Sequence, residues 1–103
     1  MFDSSIGATT VLMPYGGKYA GTPTQVSLQK LPVGKHHTDT ASIMSDGFDP
    51  CLTEWSPYHG AAWAVVDAAA KAVATGADFH KLRYSYQEYF ERMHTPESWG
   101  KPL

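Results

Sequence analysis

Cysteine is nearly absent from this 103-residue chain, where Cys51 stands alone. An internal disulfide is therefore excluded, and a single thiol fits a reducing compartment, so a cytoplasmic location is expected. Long apolar runs are also missing. None approaches the ~20 residues that a membrane-spanning helix needs, and the opening residues 1–7 have neither the basic region nor the apolar stretch of a secretory signal. Charge is sparse, at 17% of residues, and nearly balanced, at a formal −2. That balance argues against a nucleic-acid module driven by phosphate contacts. What remains is 43% hydrophobic and 13% aromatic, enough for one domain spanning 1–103. A domain this small buries only ~60–65% of its unfolded surface, so its core has little margin.

The first half is rich in Gly, Pro and Thr, and three strands are predicted in it: Thr9–Met13, Gln25–Val33 and Thr38–Met44. Pro14–Lys18 and Ala20–Pro23 read as connecting loops, and Asp46–Trp55 as irregular. The clearest signal follows. Ser56 is a good N-cap, Pro57 suits the first helical position, and Gly76 suits the residue just past the end. A helix over Pro57–Thr75 is predicted, with Ala61, Val65, Ala68, Ala69, Ala72 and Val73 on its packed face. Asp67 and Lys71 stand four apart, in the favourable order for an ion pair. Leu82–Tyr86 alternates at period two and predicts a strand, after which Gln87–Met93 reads as helical and Thr95-Pro96-Glu97 as the start of a short turn. The expected class is α+β: one mixed sheet with one long helix on one face, the other face needing a partner.

Local motifs for chemistry are weak. Gly16-Gly17-Lys18 suggests a phosphate loop, but Tyr19 follows the lysine and no helix opens there, so an ordinary turn is the simpler reading. His36, His37, Asp39, Cys51 and His59 lack the paired spacings of a zinc site. Cys51 and His59 lack a thiol-nucleophile signature. The Ser56–Ala62 helix start offers free amides and small residues, which suit either an anion or close packing. Asp39, Asp46, Asp49, Glu54 and Asp67 are possible Mg²⁺ carboxylates with no diagnostic spacing.

Longer stretches carry a resemblance. Phe2-Asp3-Ser4-Ser5-Ile6-Gly7-Ala8 and Thr10-Val11-Leu12-Met13-Pro14-Tyr15-Gly16-Gly17-Lys18 are followed by Thr22-Pro23-Thr24-Gln25. Then come Glu54-Trp55-Ser56-Pro57-Tyr58-His59-Gly60-Ala61-Ala62, Tyr86-Gln87-Glu88-Tyr89-Phe90-Glu91 and Trp99-Gly100-Lys101-Pro102. In this order they resemble phosphoribosylformylglycinamidine synthase in its long single-chain bacterial form, over essentially the whole chain.

The resemblance implies an ATP-dependent C–N ligase and glutamine amidotransferase of purine biosynthesis. That enzyme converts formylglycinamide ribonucleotide to the amidine. It also implies the N-terminal domain of the second synthetase half. Such a domain is similar to that of aminoimidazole ribonucleotide synthetase, and pairs through its sheet into a barrel. The remaining synthetase domains and the glutaminase lie outside the match, so the chain alone is expected to be inactive, and a homodimer through the sheet face is the expected assembly. ATP and Mg²⁺ are the family's cofactors. The residues that the resemblance and the loops put forward for nucleotide are Lys18, His59, Gly60, Asp67 and Lys71, with Asp46 for the metal. Two positions depart from the family pattern. Lys71 stands where related enzymes carry Asn, and Met44 where they carry a strand aspartate. A lysine at 71 brings a positive charge of its own to Asp67. The alternative functions are a self-associating interaction domain or an auxiliary nucleotide-binding domain.

Overall fold

The computed structural model describes residues 8–90 and 92–100. Strands β1 (Tyr15–Gly16), β2 (Thr22–Pro23), β3 (Val26–Lys30) and β4 (Ala41–Ser45) come first. Helices α1 (Pro50–Trp55) and α2 (Pro57–Ala74), a 3₁₀ turn at Phe79–Lys81 and a last helical turn α3 (Pro96–Trp99) follow. The class is α+β.

The sheet is not a single mixed one. Among the described residues β1 pairs with β2 and β3 with β4, each pair antiparallel. The β3–β4 register runs from Val26 opposite Ser45 to Lys30 opposite Ala41. Because side chains alternate, Val26, Leu28, Ile43 and Ser45 share the less exposed face, while Ser27, Gln29, Ser42 and Met44 share the other. The expected strand Thr9–Met13 contracts to one antiparallel bridge, Thr10 with Gln29. Beside it, the Val11 amide donates to the Leu28 carbonyl (2.9 Å) and the Lys30 amide to the Thr9 carbonyl (2.8 Å).

Leu82–Tyr86 is a clear correction: it forms no strand. Tyr84 and Tyr86 stack on one side at 6.1 Å, as period-two alternation requires, but among the described residues no neighbouring strand receives them. Alternation sets a side-chain pattern; a ladder also needs a partner backbone. Residues 87–90 and 92–93 are not helical either. Tyr89 is almost fully exposed, and a short helix without a packed face has little to hold it. Glu91 lies outside the described residues.

The middle segment is more regular than its sequence suggests. Asp49 caps α1 by accepting from the Leu52 amide at 2.9 Å, with Pro50 at the first helical position. Ser56 then ends α1, its amide donating to the Leu52 carbonyl, and caps α2 by accepting from the His59 amide. At the far end, the Gly76 amide bonds the Val73 carbonyl and the Ala77 amide bonds the Ala72 carbonyl. This is a Schellman closure, and Gly76 at φ +107° supplies the backbone conformation it needs.

Little is buried. Among the described residues Ala72 is the only buried hydrophobic one. The radius of gyration is 18.0 Å, against ~13 Å for a compact domain of this length. The accessible surface is 9018 Å², where a compact monomer of this mass exposes ~5700 Å².

Candidate functional site: the junction of β4 and helix α2

One polar cluster joins the hairpin to the long helix. Ser45, the last residue of β4, donates its hydroxyl to the Ala68 carbonyl at 2.8 Å. Lys71, one turn further along α2, donates to Asp67 Oδ2 at 2.8 Å and to the Asp46 carbonyl at 3.0 Å. Gly47 then crosses the helix so closely that a Cβ would collide with the Ala64 carbonyl and sit 2.8 Å from the Ala68 amide nitrogen. Ala64, Ala68 and Ala72 are four residues apart, so they line one ridge of α2. Their small side chains let the strand end lie against the helix.

The seam carries its own compensation. Asp67 and Lys71 are 27% and 21% exposed, so their charges are mostly withdrawn from water and answer each other. The Asp46 contribution is its backbone carbonyl, and the residue itself is exposed. Magnesium favours an octahedron of oxygens, usually one or two carboxylates completed by waters and phosphates. This donor set does not fit it. The Lys71 ammonium already lies between Asp67 and Asp46, and Met44 presents an exposed thioether rather than a hard oxygen. Among the described residues no group of three or more His, Cys, Asp or Glu side chains could hold a metal ion. Next to the seam lies a shallow, open depression lined by Thr24–Ser27 and Met44–Asp46.

The other nucleotide candidates are not part of this seam. Lys18 lies in the turn between β1 and β2, over the Tyr19 ring at 5.3 Å. His59 hydrogen-bonds Ser56 Oγ through Nδ1 at 2.8 Å and packs beside Trp55 and Tyr58. Gly60 is buried against α1: a Cβ there would come within 2.6 Å of Thr53 Cα. Its missing side chain lets α1 and α2 approach closely. The structure thus unites Asp46, Asp67 and Lys71 and leaves Lys18, His59 and Gly60 in two other settings. Ser45 and Gly47 were not anticipated. The signal for them was a glycine just after a strand, ahead of alanines at four-residue spacing.

No protein-family model, curated protein or solved structure matches the chain.

Proposed function

We propose that the chain is a domain of an ATP-dependent C–N ligase of the phosphoribosylformylglycinamidine synthase type, the N-terminal domain of its second synthetase half. In that reading it shapes the synthetase core and is inactive alone. The ordered motifs along the sequence support this, as does a hairpin backed by one long helix. The observation that carries the reading is the Asp46–Asp67–Lys71 seam. The resemblance associates Asp67 and position 71 with a nucleotide-bound magnesium. Here the lysine supplies a fixed positive charge at that place, which suits a half retained for architecture. ATP and Mg²⁺ then act elsewhere in the enzyme. The partners are the remaining synthetase and glutaminase domains. One of them meets the sheet at the outer edge of β4, which has no strand neighbour among the described residues.

A chimera tests the proposal: this chain replaces the corresponding domain of a long single-chain bacterial enzyme. Glutamine- and ATP-dependent formation of the amidine is the expected result. A chimera that folds and binds both substrates, yet makes no product, would overturn the assignment. Ammonia-dependent phosphate release by the chain alone would overturn its inactivity.

A further inference from the structure

Helix α2 is amphipathic in the unusual sense. Its charged pair, Asp67 and Lys71, lies on the covered side. Its exposed side carries Ala62, Trp63, Val66, Ala70, Val73 and Ala74, with no charged residue among them. These positions recur at intervals of three and four and form one stripe. Trp63, Val66 and Val73 are 51%, 57% and 45% exposed. The stripe continues through the first turn of α2, by the His59 ring and Tyr58, to Trp55 at the end of α1; the Tyr58 and Trp55 rings lie 5.3 and 5.4 Å from the His59 ring.

At ~200 Å² per aromatic side chain, Trp55, Tyr58 and Trp63 alone present about 400 Å². With the valines and alanines the patch passes the ~300–600 Å² found as the largest on ordinary monomers. It approaches the ~800 Å² that each partner contributes to a standard interface.

We propose that this face binds a second copy of the chain, the two α2 helices lying antiparallel about a two-fold axis near Val66. The shape of the stripe selects this occupant. Its N-terminal half is large (Trp55, Tyr58, Trp63) and its C-terminal half small (Ala70, Val73, Ala74). A two-fold axis sets the large end of one helix on the small end of the other, so the surface complements itself. The alanines allow helix axes to approach to ~8–10 Å, and an uncharged stripe repels no copy of itself. This interface is separate from the sheet edge, and it stands whether or not the ligase assignment does.

Sedimentation equilibrium of the full chain tests it, with circular dichroism to follow helix content. The wild-type chain is expected to dimerise. Val66→Lys places two ammonium groups together at the axis and is expected to weaken the dimer about 100-fold or more. Met44→Lys, on the open sheet face, is expected to leave it unchanged. In a Cys51→Ser background, Val66→Cys is expected to form a disulfide-linked dimer on oxidation and Met44→Cys none, a readout that does not need a folded Val66→Lys chain. A monomeric wild type, a dimer surviving Val66→Lys, or cross-linking through Met44→Cys alone would overturn the proposal. The chimera assay reads none of these outcomes, so the two readings fail separately.

Discussion

Replacing Lys71 by Met removes a charge while keeping most of the packing of the side-chain stem. An exposed ion pair four residues apart on a helix contributes only ~0.3–0.5 kcal/mol. Lys71 and Asp67 are not in that regime, because each is about three-quarters covered and the ammonium also binds the Asp46 carbonyl. Hydrogen bonds involving charged groups contribute ~1.5–3 kcal/mol each when buried. Two are lost in Lys71→Met, and Asp67 is left without its counter-charge. Allowing for the remaining exposure of both side chains, the expected destabilisation is about 1.5–3 kcal/mol.

Urea unfolding followed by circular dichroism at one fixed protein concentration measures this. A double-mutant cycle with Asp67→Asn isolates the pair, with an expected coupling of about 1 kcal/mol. Lys71→Met should still be costly in the Asp67→Asn background, because the Asp46 carbonyl loses its donor there too. Lys30→Met serves as the control: Asp39, its partner, is fully exposed, so no measurable change is expected. A Lys71→Met cost below about 0.5 kcal/mol, the level of an exposed pair, together with no coupling, would refute the view that this seam holds the helix to the hairpin.

Gly60→Ala gains ~1 kcal/mol of helix propensity but drives a methyl into Thr53; with overpacking at ~1–3 kcal/mol, a net loss is expected in thermal melts. Gly47→Ala meets α2 backbone, which cannot rotate away, and should lose more; Gly16→Ala, with nothing within 4 Å, should be near neutral. Ser56→Ala removes the hydroxyl that caps α2 and is expected to cost about 1 kcal/mol, with Ser56→Gly a few tenths, as read from urea midpoints. Adding Mg²⁺ or EDTA should leave the melting temperature unchanged, because Lys71 already compensates Asp67; a Mg²⁺-dependent rise would show that the seam takes a cation after all.

Legibility in the sequence followed the strength of local chemistry. The α2 boundaries were readable because Ser56, Pro57 and Gly76 each supply a backbone requirement of a helix end. The Asp67–Lys71 pair was readable because helix geometry alone brings the two residues together. Helix α1 carries the same cap-and-proline start, Asp49-Pro50, but six residues are too few for periodicity to register. Leu82–Tyr86 failed for the opposite reason: the alternation is real, and its expression depends on a neighbour that no local rule provides. The seam was half legible. Asp67 and Lys71 announced each other, whereas the Asp46 carbonyl and the Gly47 crossing arise only when β4 meets α2. The covered face of α2 differs in part from the one its periodicity predicts, since Ala61 and Val73, expected on the packed face, are exposed. An alanine-rich helix gives periodicity little contrast, so the hairpin decides which side is covered.

The thin interior has a thermodynamic consequence. A two-stranded hairpin is marginal alone in water, and isolated helices gain most of their stability from packing an amphipathic face. Here the two are joined chiefly by a polar seam, and the broadest apolar face of α2 points outward. The proposed burial of that face by a second copy would supply stability that the protomer lacks and would couple folding to association. Melting temperature should then depend on protein concentration, since whatever binds only the folded state stabilises it by mass action. Each tenfold rise in concentration should add about 1.4 kcal/mol to the apparent stability of a two-chain unit. For a domain of 60–100 residues 1 kcal/mol shifts the midpoint by ~4–8 °C, so even shared between two chains the shift is measurable over a hundredfold range. Melts by circular dichroism at low concentration and by calorimetry at high concentration span that range. A midpoint that stays fixed would mean that the protomer holds its helix without help, and the outward stripe would lose its claim as a stabilising interface.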